Sequence, residues 1–218
     1  DVGSVKSNIQ EAAKKAGLES QFIGGHPMAG SEQTGYSHSS SRILENAYYI
    51  LTPSEYTHPE IIVLMKEIVE HISAIPIVLD PKRHDNITAA ISHLPHLIAA
   101  SLVTLVSKND TDGLMSSLAA GGFKDITRIA SSSAPMWRDI CLSNKDSILT
   151  FLNQYIGQLE EIKTTLETDS GDEIFRLFTD SKEYRDKIPT RGKGPDKIYD
   201  INVDVNDEAG VIASIATL

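Results

Sequence analysis

Gly24-Gly25-His26-Pro27-Met28-Ala29-Gly30-Ser31-Glu32 follows the short apolar run Gln21-Phe22-Ile23. An extended segment running into paired glycines, a histidine and a proline reads as a strand that ends in a turn. The glycines let the backbone turn sharply and approach a ligand closely, and Pro27 removes a donor and fixes the local path. Open α/β sheets place their chemistry at such strand ends, so His26 is a candidate functional residue. A tight surface turn that happens to contain histidine is the alternative.

On either side of this stretch the pattern is α/β. Ser4 is placed to cap a helix through Ile9, Ala12 and Ala13 that Gly17 closes. Strands are expected at 21–24, 47–52 and 75–79. Between the last two, Ile61, Ile62, Leu64, Met65, Ile68 and Val69 recur with helical period. Thr57 or His58 suits the cap of that helix, and Pro59 its first turn. This alternation resembles the second half of an open α/β sheet. After Asp80 the strands stop. Residues 81–108 form one long helical pattern, and shorter ones follow at 112–120, 124–131 and 135–142. Two more run over 145–167 and 172–187. The fold class expected is therefore α/β followed by mainly α: residues 1–80 as part of a Rossmann-type domain and 81–190 as a helical domain. Its long apolar helices need a partner, which points to a homodimer. A Gly/Pro/Lys linker, Thr190-Arg-Gly-Lys-Gly-Pro195, opens the segment 191–218, where a half-buried strand over 198–205 leads into a helix.

Composition narrows the function classes. The 218 residues carry 20 Lys and Arg against 30 Asp and Glu, a net charge of −10, which argues against nucleic acid or an anionic membrane as partner. The single cysteine, Cys141, excludes an internal disulfide framework and cysteine-rich zinc sites, and suits a reducing cytoplasm. Residues 1–15 are too polar for a signal peptide, and the mostly apolar run 97–106 is too short to cross a bilayer. Both ends read as cut: Asp-Val-Gly-Ser looks like the loop after a missing strand, and 198–218 begins a domain that then stops.

Three constellations carry chemistry. In the first, His26 is followed by Ser31 and Glu32; a neutral imidazole accepts a hydroxyl proton near working pH. The second is Arg83-His84-Asp85 with Ser92-His93-Leu94-Pro95-His96. His93 and His96 share a helix face, and Pro95 between them is expected to kink the helix. Two core histidines satisfied by backbone carbonyls are the structural alternative; a zinc site lacks the ligand spacing. The third is Gly121-Gly-Phe-Lys-Asp-Ile-Thr-Arg128 with Met136-Trp137. Lys124 and Arg128 stand one turn apart beside Asp125, which suits an anion site with Arg as carboxylate fork. A solvated salt-bridged helix is the competing reading, and Trp137 by itself reads as core.

Together these segments, with Asp1-Val-Gly-Ser-Val-Lys6, resemble the prephenate dehydrogenase family of tyrosine biosynthesis over roughly residues 1–190. The tail from Val203 to Ala213 resembles the opening of an ACT domain, a fold that binds amino acids. The resemblance implies NAD-dependent oxidative decarboxylation of prephenate, with tyrosine as feedback inhibitor at the ACT-like end. It implies that His26 polarises the ring hydroxyl and that Ser4 sits between substrate and nicotinamide, near Pro27. His96 and Arg128 would bind substrate, Arg128 through a carboxylate, within an ionic network of Glu32, Asp125 and Arg128 that Ser31 adjoins. Asp125 and Trp137 would reach across from the neighbouring subunit; His84 and Lys124 fall near the pocket. The family's Gly-x-Gly-x-x-Gly turn is not in these 218 residues. Arogenate dehydrogenase is the nearest alternative, and a non-catalytic dimerisation and amino-acid-sensing module is another. These 218 residues alone are expected to form no NADH from prephenate; measurable NAD-dependent turnover by them would overturn that expectation.

Overall fold

A computed structural model describes residues 1–30 and 35–189. Ser31, Glu32, the linker and the ACT-like tail lie outside the described residues. The sheet has three strands, β1 (Ile23–Pro27), β2 (Tyr48–Pro53) and β3 (Ile75–Val78), in the order β1-β2-β3. β1 runs antiparallel to β2, and β2 parallel to β3. The parallel pair is joined by α2 (Pro59–His71), with His58 at its N-cap and Pro59 at its start. Leu51 of the central strand, Val69 of α2 and Ala74 form a small buried core against Ile23, Tyr49 and Met65. On the outer side of β1 the Gly25 N–H donates to the Asp1 carbonyl at 2.9 Å.

Two details of the N-terminal half differ from the sequence reading, each for a packing reason. Gly24 and Gly25 lie inside β1 and make no turn; neither is among the positive-φ glycines. A Cβ on Gly24 would meet Thr52 Oγ1 at 2.3 Å, and one on Gly25 would meet the Asp1 carbonyl at 2.7 Å. The glycines thus make room for the chain start and for Lys6. The buried Lys6 ammonium donates to Asp1 Oδ2 and to the Gly25 carbonyl, each at 2.6 Å. Ser4, in turn, caps nothing. Helix α1 (Ser7–Lys15) starts three residues later, and its first free N–H groups are taken by a side chain 78 residues away in sequence. Asp85 Oδ1 accepts from the Lys6 N–H and Oδ2 from the Ser7 N–H, both at 2.8 Å. A carboxylate there satisfies two orphan donors and complements the helix dipole. Gly17 does close α1 as expected, at φ 69°, with Leu18 N–H bonded back to the Ala13 carbonyl.

The C-terminal half is helical throughout its described residues. α3 (Pro81–Thr88), a π-helical turn (Ala89–His93) and α4 (Leu94–Asn109) run as one continuous rod. The expected break at Pro95 is absorbed one turn earlier: the wider π turn relieves the bonds a proline cannot make. At 29 residues this rod is long and apolar enough to cross a membrane, which the run 97–106 taken alone is not. It buries four polar side chains, His84, Asp85, Thr88 and His93. α5 (Leu114–Leu118) and α6 (Gly121–Thr127) lead through a 3-10 turn (Arg128–Ser131) to α7 (Ala134–Ser143). α8 (Lys145–Glu167) and α9 (Gly171–Lys187) close the described chain.

Asp85 thus ties the α/β half to the helical rod. Asp85→Ala removes the acceptor from one buried and one partly buried N–H group and from a buried histidine, and is expected to lower unfolding stability by roughly 3–5 kcal/mol. Urea denaturation checks this; a loss under about 1 kcal/mol would contradict the role.

Candidate active site

The cleft of interest lies between the end of β1, the π turn and the Arg128–Met136 segment. Its volume is about 440 Å³, in the range of small-molecule sites, and Ser4, His26, Pro27, His93, His96, Arg128 and Trp137 are among its lining residues. A larger cleft of about 870 Å³ includes Asp85, Arg83 and Lys145 but none of the histidines.

Behind His26 lies a chain of hydrogen bonds. His84 Nδ1 is 2.8 Å from Asp85 Oδ1, and His84 Nε2 is 2.7 Å from His26 Nδ1. The chain has a direction because a carboxylate only accepts. His84 therefore donates from Nδ1, and in its neutral form accepts at Nε2. His26 must then donate from Nδ1, which leaves the lone pair of its own Nε2 as the outward acceptor. His84 and Asp85 are buried at 1% and 3% exposure. The sequence reading put His84 near the substrate; instead it stands behind His26 and holds it, outside the cleft lining.

The electrostatics keep this acceptor unprotonated. Burial first, then the neighbouring His84, Lys6 and His93, lower His26 to about 3, against the opposing pull of Asp85. Burial likewise lowers His93 to about 4 and His96 below its ordinary range; for His96 the charge of Arg128 adds to this. Burial alone would raise Asp85, but the bonds from His84, Ser7 and Lys6 outweigh it and leave the carboxyl below its usual value. Lys6 drops to about 8 through burial, partly offset by Asp85.

Across the cleft, His96 Nδ1 donates to the Ser92 carbonyl at 2.8 Å, which fixes the ring. Trp137 stacks on His96 with ring centres 3.7 Å apart and meets His93 edge-on at 5.9 Å. The sequence reading expected Trp137 to arrive from a neighbouring subunit; here it reaches the cleft from its own chain, carried by α7. Arg128 lines the same cleft at the head of the 3-10 turn. Lys124 and Asp125, on the exposed part of α6, do not line it. Of the expected residues, Ser4, His26, Pro27, His96, Arg128 and Trp137 converge. Asn144 was not anticipated: buried at 5% exposure, it donates to the Asp85 carbonyl at 2.7 Å and contacts His93 Nδ1 at 3.1 Å. An asparagine between two helical patterns gave no sign of this. Among the described residues no three His, Cys, Asp or Glu side chains are grouped to hold a metal.

A small sheet with one βαβ crossover, a helical half and a cleft lined by both a hydrogen-bonded histidine and an arginine define the class as a candidate enzyme site. Comparison narrows the class. Residues 1–78 match the prephenate dehydrogenase nucleotide-binding domain, and residues 80–180 match the prephenate dehydrogenase dimerization domain. Prephenate dehydrogenase of Bacillus subtilis strain 168 is 43% identical over all of this chain and 60% of that protein. Among solved structures, Synechocystis arogenate dehydrogenase is 33% identical, with TM-score 0.75, over 86% of this chain and 68% of that one. Prephenate dehydrogenase from Aquifex aeolicus, in complex with hydroxyphenyl propionate and NAD+, is 32% identical with TM-score 0.80, over 87% and 66%. This chain belongs to the prephenate dehydrogenase family. It spans about 60% of the length of the Bacillus relative.

The depressed histidines make a prediction with a definite sign. Their folded values, about 3 and about 4, lie below the ordinary 6.5, so the unfolded chain binds protons that the folded chain refuses. That stability is fully present above pH 6.5 and is lost as pH falls from there towards 4 and 3. The melting temperature is expected to fall between about pH 7.5 and about pH 5, and to fall less in His93→Leu. Equal falls in both proteins would contradict it.

Proposed function

We propose that the full-length protein oxidises and decarboxylates prephenate to 4-hydroxyphenylpyruvate and CO2, reducing NAD to NADH. The observation that carries this reading is the Asp85–His84–His26 chain, which ends in an acceptor lone pair in a cleft shared with His96 and Arg128. A bound nicotinamide supplies the hydride acceptor, and Ser4 and Pro27 are the residues of this chain that would adjoin it. His26 Nε2 accepts the hydrogen bond of the ring hydroxyl and draws its proton as carbonyl character builds at that carbon. The C–H bond breaks with its electron pair leaving as hydride. The bond to the ring carboxylate then breaks, its electron pair completes the aromatic ring, and the proton returns to the phenolic oxygen. No net proton is consumed, so His26 need only polarise, a role that suits a ring held neutral by burial.

Arg128 would bind a substrate carboxylate as a bidentate fork, and His96, braced between Trp137 and the Ser92 carbonyl, would fix the substrate's orientation. Glu32, with Asp125 reaching in from the neighbouring subunit, is proposed to complete the ionic network around Arg128, which Ser31 adjoins. The helical half is read as a homodimer surface: Leu149, Ile156, Leu159, Leu166, Phe175 and Phe178 of α8 and α9 are exposed. Tyrosine feedback at an ACT-like end and a cytoplasmic location complete the proposal. Arogenate as substrate is the second reading, favoured by the likeness to the Synechocystis enzyme.

NADH formation by the full-length protein, with prephenate and arogenate offered separately, tests the reaction. Prephenate turnover is expected, and His26→Asn should cut it by roughly 10²–10⁴-fold. Turnover of arogenate alone would favour the second reading, and NADH from neither would overturn both. Phe178→Glu is expected to weaken the dimer in sedimentation; a monomeric wild-type protein would contradict the surface assignment.

A further inference from the structure

Asn144 sits between α7 and α8, outside every motif singled out in the sequence, yet its amide bonds both Asp85 and His93. Its Nδ2 donates to the Asp85 carbonyl at 2.7 Å, an atom that can only accept, and this fixes which end of the amide is nitrogen. The same Nδ2 is 3.1 Å from His93 Nδ1. An amide nitrogen has two hydrogens and no usable lone pair, so His93 Nδ1 must be the acceptor there. The π turn makes this possible. Its wider spacing rotates His93 towards the face of the rod that carries Asp85, so one amide can bond both.

The consequence is a second imidazole with the opposite polarity. His93 is neutral well below working pH, held at about 4 by burial, and with Nδ1 occupied by Asn144 its proton sits on Nε2. It lines the same cleft as His26, whose Nε2 is an acceptor. We infer that Asn144 is a positioning residue that holds His93 as its Nε2–H tautomer, so that His93 donates a hydrogen bond to a carboxylate or carbonyl oxygen of the bound substrate. The cleft then offers an acceptor for the hydroxyl and a neutral donor for an oxygen, from two histidines set in opposite tautomers by Asp85 and Asn144. The substrate part of this inference rests on the function proposed above; the tautomer part does not.

Long-range proton–nitrogen spectra of the full-length protein, labelled with 15N-histidine and free of substrate, read the tautomer directly. Wild-type His93 is expected as Nε2–H. Asn144→Asp, whose carboxylate can only accept, is expected to switch it to Nδ1–H. Wild-type His93 found as Nδ1–H, or a tautomer that ignores Asn144→Asp, would overturn the inference. In turnover, Asn144→Asp is expected to raise the prephenate KM roughly tenfold. His93→Leu should share that defect. His93→Gln, whose amide reaches the Nε2 position, should have a KM at least about threefold below that of His93→Leu. Equal KM values for the two His93 variants would overturn the donor role even where Asn144→Asp fails to fold. A wild-type protein that turns over no substrate would refute the proposed function and leave the spectra to decide the tautomer.

Discussion

One buried carboxylate organises this molecule. Asp85 accepts from the backbone at the start of α1 through both oxygens and from His84 through one of them, while its own carbonyl holds Asn144. A charge in that position is costly unless every lone pair is used, and here the partners come from three separate parts of the chain. The geometry of the cleft follows from that requirement. Whatever fixes Asp85 also fixes His84 and therefore His26, so the residue proposed to do the chemistry is held by the same bonds that join the α/β half to the helices.

The rod from Pro81 to Asn109 is the scaffold for this arrangement. It presents His84 and Asp85 at one level and, at the end of the π turn and just beyond it, His93 and His96 at the next. In a straight α-helix His93, eight residues after Asp85, would stand about 80° round the rod from it; the π turn, with more residues per turn, changes that angle, and such turns are frequent at functional sites. Burial then does to His26 and His93 what a pH-independent donor and acceptor pair requires: it keeps them neutral, and the bonds behind each ring decide which nitrogen carries the proton.

Much of the site was legible in the sequence, and the failures have physical causes. His26, Ser4, His96 and Arg128 stand in the cleft as the family resemblance implies, and Trp137 stands there too, but from its own chain. The paired glycines were read as a turn because glycine permits one, but their function is to leave space for Asp1 and Lys6. Ser4 was read as a helix cap because it lies at the right spacing, whereas the cap is Asp85, a contact over 78 residues that no local pattern contains. His84 lies near the pocket as expected, but behind His26 and outside the cleft lining, since sequence proximity to a motif does not say which side of a ring it touches. Asn144 gave no signal: its role depends on a long-range encounter with the π turn. The helix over 145–167 was read to the residue, because long periodic segments carry their own boundaries.

The central claim is that His84 acts only through His26. A double-mutant cycle on kcat for prephenate in the full-length protein, with His26→Asn, His84→Leu and their combination, tests it most directly. The account predicts that His84→Leu slows the wild-type enzyme but slows His26→Asn no further, because the relay has nothing left to position. Losses that simply add would contradict it and would give His84 a role of its own.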